Sequence, residues 1–353
     1  MQKALSAKVR EISNVLREWN GHIFVAYSGG KDSSAVVKLV ANALKKARQP
    51  RRDIKIVYCD TGVENPIVSA FVLQTLKKLG KEMAEIGLPD CIQVVRPRLD
   101  QRFFVRVIGR GYPPPTQFFR WCTKDLRIRP VQSYLRQLGD SPLVVLGTRR
   151  GESAQRDRRM QGGDKNRPFI RRQIDGGCNT HIYSPIVEFD LAQVWTALVE
   201  LEFPRSIDAT RLAAIYRDGG GECPIVRETN DKPCASARFG CWTCTVVRRD
   251  KSAEHLIESG YASLKPFYEF RRWLSEIRND PSMRCHRRRN GSDGLGPFTL
   301  RARALILENV RALELATKKR IIDGAEEMEI RRLWQVDRSS MAYGQIDPTL
   351  IGF

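Results

Sequence analysis

An apolar run, HIFVAYS (22–28), passes directly into Ser28-Gly29-Gly30-Lys31-Asp32-Ser33-Ser34. A helical run follows, in which Ala35, Val36, Val37, Leu39, Val40, Ala43 and Leu44 crowd one broad face. This junction constrains the fold more than any other part of the sequence. A strand has to end, the backbone has to turn on two glycines, and a helix has to begin at once. Glycines let the main chain come close to phosphate oxygens, and the first N–H groups of the helix suit an anion. Lys31, Ser28 and Ser33 add donors. The G-x-x-x-x-G-K-[ST] spacing is absent, so this is not a Walker A loop. The plainer alternative is a polar strand-to-helix turn with a Ser or Asp cap. Seven consecutive fitting residues in a strand–loop–helix context favour a nucleotide loop.

The rest of the chain repeats the alternation. IKIVYCD (54–60), CIQVVRP (91–97) and LVVLGTR (143–149) read as buried strands, and 2–19 and 67–79 as helices. Strands that are largely apolar, with helices between them, predict an α/β fold with a parallel sheet covered on both faces. Residues 150–180 form a basic, Gly-containing stretch with weak periodicity, read as an active-site loop. IYSPIVEF (182–189) returns to extended chain, and 191–203 is helical. Beyond 250 the pattern is helical to about Trp334, interrupted by RRRNGSDGLGP (287–297). With 353 residues, of which 42% are hydrophobic, about two domains are expected. No apolar run is long enough to span a membrane, and the first residues lack the apolar core of a secretory signal. The expected location is the cytoplasm, with no membrane partner.

The loop resembles the PP-loop of the ATP pyrophosphatases, whose pattern is SGGxDS. That family includes sulfonucleotide reductases and enzymes that thiolate tRNA. The resemblance implies a five-strand α/β fold binding ATP through Ser28, Gly29, Gly30, Lys31, Asp32, Ser33 and Ser34, with cleavage to AMP and pyrophosphate. CDTGVEN (59–65) follows the second strand, where Asp60 is a candidate for ribose or metal, or a turn residue. Gly147-Thr148-Arg149-Arg150-Gly151-Glu152-Ser153-Ala154-Gln155-Arg156 matches the family's G-x-R-x-x-E-S-x-x-R pattern. The resemblance makes Arg149 and Arg156 phosphate clamps; an ordinary basic loop is the bland alternative. YSPIVEFDLAQVWTAL resembles the element that closes the fold in sulfonucleotide reductases.

Nine cysteines, an odd number, argue against a disulfide scaffold. Cys234, Cys241 and Cys244 give C-x6-C-x2-C, and two cysteines three apart can face one metal or cluster. Cys122, in FFRWCTKDLRIRP, is the best further ligand, with Cys223 the runner-up. Iron–sulfur sulfonucleotide reductases carry a cysteine pair at a similar place, where only Cys122 stands here. A [4Fe–4S] cluster is expected, with structural zinc as the alternative. Cys59 and Cys91 read as core residues, and Cys178 and Cys285 as loop thiols.

FGCWTCTVVRRDKS (239–252), GLGPFTLRAR (294–303) and EEMEIRRLW (326–334) resemble the DNA phosphorothioation enzymes of the DndC type and the related SspD-type proteins. The pattern along the chain is read as four parts: an N-terminal helix (1–21), a PP-loop domain (22–215), a cysteine-rich cluster segment (216–265) and a basic helical region (266–353). The resemblance implies that Lys31, with Mg²⁺, offsets triphosphate charge, and that Asp32 places the metal or caps the helix. It also implies a cysteine desulfurase as sulfur donor and further phosphorothioation subunits as partners. The charge fits a DNA partner: the formal net charge is +20, residues 96–130 carry a net +7 and residues 271–320 a net +8. Tyr112, Phe118, Phe119 and Trp121 interleave with one basic run, to stack an unpaired base or to pack against the sheet. Two other functions remain in view, a small-molecule sulfonucleotide reductase and a tRNA-thiolating enzyme. Sulfonucleotide reductases resolve their intermediate through a cysteine near the C-terminus, and here none follows Cys285.

Overall fold

The computed structural model describes residues 2–46, 53–137, 139, 141–150, 170–175, 178–220 and 239–342. Strands β1 (Ile23–Tyr27), β2 (Ile54–Cys59), β3 (Ile92–Val95), β4 (Leu143–Val145), β5 (Ile170–Asp175) and β6 (Cys178–Tyr183) form one sheet in the order β3-β2-β1-β4-β6-β5. The pairs β1–β2, β1–β4, β2–β3 and β4–β6 are parallel, in register at Val25↔Ile56 and Val25↔Val145. This is the expected parallel α/β sheet. One element was not expected: β5 pairs antiparallel with β6 as an outer hairpin, Ile170 opposite Tyr183. Its sequence, IRRQID, is polar because an edge strand has one open side, and so it lacks the apolar run that marks the inner strands.

Side-chain alternation divides the sheet into two faces. Ile23, Val25, Tyr27, Ile54, Ile56, Tyr58, Leu143 and Val145 point into the larger core. That core is completed by α1 (Gln2–Glu18), α2 (Lys31–Lys46), α3 (Pro66–Glu85), α5 (Leu191–Glu200) and α6 (Ala209–Asp218). Helix α1 contributes Leu5, Val9, Ile12 and Leu16, one face at helical spacing. Helix α2 is buried nearly all round, which explains its long apolar run. Its Lys38 is buried too, and donates to the Leu198 and Leu201 carbonyls at 2.8 and 2.6 Å. Burial lowers the Lys38 pKa, and the last carbonyls of α5 receive the proton-bearing amine. On the opposite face, Phe24, Val57, Val144 and Ile182 meet Leu135 of α4 (Arg129–Gln137).

A second core is helical. It joins α8 (Lys265–Ile277), α9 (Leu300–Thr317) and α10 (Gly324–Ala342), and α7 (Lys251–Glu258) precedes them. Phe103, Phe104, Val105, Val107, Ile108, Trp121 and Leu126 belong to this core, although they lie between β3 and α4 in sequence. That segment carries two π-helical turns, Val105–Gly109 and Thr123–Ile128, the second running straight into α4. Among the described residues no helix is long and apolar enough to cross a membrane.

Candidate functional site

The strand order reverses between β1 and β4, and in open α/β sheets the crevice outside the carboxyl ends at such a point is where ligands bind. The Ser28–Ser34 loop leaves β1 there, and Gly147 leaves β4 beside it. Gly29 has φ +75°, and a Cβ on it would lie 2.0 Å from Cγ2 of Val72, so this position requires glycine. A Cβ on Gly147 would lie 2.9 Å from the Asp32 carbonyl carbon and the Ser33 nitrogen. The two loops are therefore in backbone contact.

Ser33 knits the loop. Its Oγ accepts from the Ser28 N–H at 3.2 Å, donates to the Gly30 carbonyl at 3.0 Å and lies 3.0 Å from the Ser28 hydroxyl. The Ser34 N–H donates to the Gly30 carbonyl at 2.9 Å, beginning α2. Lys31 is buried, with Nζ 3.1 Å from Asp32 Oδ2. Arg149 Nε donates to Asp32 Oδ1 at 2.6 Å, and its Nη1 reaches the Phe189 carbonyl at 3.4 Å. The structure thus unites Ser28 through Ser34 with Arg149. Both oxygens of Asp32 are paired with cations, Lys31 and Arg149. Arg149 braces Asp32 across the crevice. Arg156 lies outside the described residues.

Asp60 is bonded within the turn after β2. Its Oδ1 accepts from the Gly62 N–H at 3.0 Å and its Oδ2 from Arg96 Nε at 2.9 Å. Thr61 donates from its N–H (3.1 Å) and hydroxyl (2.5 Å) to Glu64. Burial raises the Glu64 carboxyl above its usual range.

The cysteine turn backs onto this same loop. Cys241 bridges antiparallel to Glu64, the Trp242 N–H donates to the Val63 carbonyl at 2.9 Å, and the Cys244 N–H closes onto the Cys241 carbonyl at 2.9 Å. The Trp242 ring sits in the helical core, 5.0 Å from Phe267 and 5.6 Å from Phe270. Arg271 of α8, buried, donates to the Cys244 carbonyl at 2.7 Å and to the Val247 carbonyl at 2.5 Å. Arg278 adds a bond to the Thr245 carbonyl at 2.8 Å. Burial pushes the Cys241 thiol up to about 11, against the pull of Arg127, whose guanidinium lies 3.9 Å from its sulfur. Cys122 is raised by burial as well, with Cys244 among its electrostatic neighbours. Cys59, at the end of β2, donates to the Leu126 carbonyl at 3.3 Å and is pushed up to about 12, first by burial and then by Glu64. Cys122, Cys241 and Cys244 therefore share a neighbourhood at the sheet edge. Among the described residues, however, no three His, Cys, Asp or Glu side chains converge as a metal requires. The thiols as placed do not fit a cluster or zinc, and Cys223 and Cys234 lie outside the described residues. Cys91 is core; Cys285 lies in a loop, as expected, but is buried.

The basic runs divide as well. Arg284 and Arg303 are buried and bind carbonyls: Arg284 that of Gly296 at 2.6 Å, Arg303 those of Phe298 at 2.9 Å and Gly109 at 3.1 Å. With Arg271 and Arg278 they hold the helical region together and cannot form a DNA track. Trp121 is core, stacked on Phe103 at 5.7 Å with its Nε1 donating to the Pro113 carbonyl. Phe118 is 97% exposed, and Phe119 stacks on Tyr112, over which Arg106 and Arg289 lie.

No motif pointed to Tyr216 on α6. Its hydroxyl accepts from the Lys31 N–H at 3.2 Å, its ring lies 5.1 Å from Lys31 Nζ, and a Cβ on Gly30 would be 3.3 Å from its oxygen. An isolated tyrosine on an amphipathic helix gives no sequence signal. Tyr216→Phe removes one hydrogen bond worth ~1 kcal/mol and keeps the ring. The expected result is a melting temperature lower by roughly 2–4 °C and a KM for ATP raised about fivefold, because the loop backbone at Lys31 is no longer held. An unaltered KM would leave Tyr216 a packing residue only.

The chain matches the phosphoadenosine phosphosulfate reductase domain family over residues 22–247. It belongs to that family, and with it to the PP-loop class of adenine-nucleotide folds. An uncharacterized protein of Methanocaldococcus jannaschii is 27% identical over 194 residues, 55% of this chain. The chain spans only 34% of that relative's length. Among solved structures, phosphoadenylyl-sulfate reductase from Candida auris is similar at 13% identity and a TM-score of 0.35, covering 57% of this chain and 86% of its own. FMN adenylyltransferase from Candida glabrata, in complex with FMN and an ATP analogue, gives 14% and 0.36, covering 65% and 70%. NH3-dependent NAD synthetase from Campylobacter jejuni gives 14% and 0.34, covering 78% and 95%.

Proposed function

We propose that this chain activates a DNA phosphate with ATP and inserts sulfur into the backbone, a phosphorothioation. The observation that carries the reading is the seat of the Cys241–Cys244 turn. It lies on the loop after β2, at the sheet edge from which the Ser28–Ser34 loop also emerges. Thiols and an adenine-nucleotide loop at one edge suit sulfur transfer to an adenylated substrate.

The chemistry follows from leaving-group ability. A nonbridging phosphate oxygen attacks the α-phosphorus of ATP, and pyrophosphate departs with the electron pair of the broken P–O bond. The oxygen now leaves as AMP. The terminal sulfur of a persulfide, supplied by a cysteine desulfurase, forms the S–P bond as the P–O bond to AMP breaks. A second thiolate then attacks the S–S bond, giving the phosphorothioate and a disulfide. Lys31 and the first N–H groups of α2 offset charge on the departing pyrophosphate. Arg149 holds Asp32, which keeps Lys31 oriented. Mg²⁺ would enter with the triphosphate. No step is drawn through a [4Fe–4S] cluster, which the described thiols do not fit. The net charge of +20 supports a polyanionic partner.

The test is mass spectrometry of nuclease-digested host DNA. Phosphorothioate-linked dinucleotides should vanish on deletion of the gene and return with the wild type but not with Cys241→Ala. Their persistence after deletion would overturn the reading. The family match favours a second reading, reduction of a sulfonucleotide. Sulfite release from an adenylyl or phosphoadenylyl sulfate by the purified chain would establish it instead.

A further inference from the structure

A groove of about 540 Å³ lies on the flank of the sheet, floored by the edge strand β3 and walled by α4. Arg96, Arg98, Lys124, Arg129 and Arg136 line it, and its described lining includes no Asp or Glu. The carboxylates that pair with these cations stand outside the lining: Asp60 with Arg96 at 2.9 Å, Asp100 with Arg98 at 3.3 Å and Asp125 with Arg129 at 2.5 Å. Three of the five are held by carboxylates outside the lining, and all five border the groove. Arg129 and Arg136 are two turns apart on α4, about 10 Å along the axis. Cations spread along a groove in this way suit successive phosphates of a polynucleotide.

The groove also points at the site. Arg96 and Arg98 follow the carboxyl end of β3, and β1, which ends in the Ser28–Ser34 loop, is two strands away, roughly 10 Å. Lys124 lies on the π-helical turn whose Arg127 reaches Cys241.

We propose that the β3–α4 groove binds the phosphodiester backbone of one nucleic-acid strand and leads it to the carboxyl edge of the sheet. This rests on the reading that the substrate is a polynucleotide, and it locates that substrate away from the 271–320 run, four of whose arginines are bound to carbonyls. Arginine and lysine contacts to phosphates position a strand without reading its bases, so the binding proposed here is sequence-independent.

The test uses the full chain and fluorescence anisotropy with labelled single-stranded DNA, duplex DNA and single-stranded RNA across a salt series. Arg98→Glu/Arg136→Glu should weaken binding about tenfold or more and reduce the salt slope by ~2. A control with the same charge change elsewhere, Arg288→Glu/Arg301→Glu, should stay within about twofold of wild type. Equal retention of affinity by the groove variant would overturn the groove while leaving the DNA reading intact. Absence of binding by the wild type to every oligonucleotide would overturn both. Loss of ATP binding in the groove variant, with oligonucleotide affinity unchanged, would make the groove a nucleotide subsite and refute the proposal. DNA against RNA preference identifies the source of the strand.

Discussion

Lys31→Ala is expected to slow pyrophosphate release from ATP by ~10²–10³-fold, the usual effect of removing one preorganised charge from a phosphoryl-transfer site. The side chain is buried between Asp32 and the Tyr216 ring, and Asp32 is held on its other oxygen by Arg149. Removing the ammonium leaves Asp32 with one cation and turns its second oxygen, negative and unopposed, toward the crevice where the triphosphate has to sit. The loss is therefore double, a missing positive charge and a newly exposed negative one. It should fall mainly on kcat, since charge grows on the departing pyrophosphate during the reaction. Lys31→Ala/Asp32→Asn should recover part of the rate by removing the second effect. A coupled pyrophosphate assay measures both. A single variant within threefold of wild type would show that Lys31 does not face the nucleotide.

Arg271→Ala should strongly destabilise the helical region. The guanidinium is only 3% exposed and donates to the carbonyls of Cys244 and Val247. Its removal leaves two buried acceptors without this donor, at about 3 kcal/mol together. For a unit of this size that corresponds to a melting temperature lower by roughly 6–12 °C. The freed turn should also expose Cys241 and Cys244 to a thiol reagent faster than in the wild type. Arg271→Lys should recover little, because one ammonium cannot reproduce the planar fork. Unchanged melting and thiol reactivity would mean that the turn is held from the sheet side alone.

The parallel sheet and the nucleotide loop were legible because both write continuous patterns: apolar runs for buried strands, and two glycines at a strand-to-helix junction. The β5–β6 hairpin was not, since its outer strand is polar and arginine-rich. The second core was hidden for a related reason. Phe103, Phe104 and Trp121 stand within a basic run, and charge drew the reading toward a nucleic-acid surface. Composition counts an arginine but does not reveal its partner, so Arg271, Arg284 and Arg303 read like phosphate contacts while they bind carbonyls. The cysteine spacing located the turn but not its backing on Val63 and Glu64, a contact between residues far apart in sequence. Asp60 carried both a turn and a ligand reading, and its carboxylate is seen bonded to the Gly62 N–H and to Arg96.

The Cys241–Cys244 turn has its indole seated among the helices and its backbone laced to the sheet. Neither half can loosen at this point without tugging on the other, so the two cores should open here as one cooperative unit. The Trp242 amide, shielded by Val63, becomes an internal gauge of that union. Its rate of hydrogen exchange reports in one signal how firmly the helical half is clasped to the nucleotide half. Anything that grips either half should slow it.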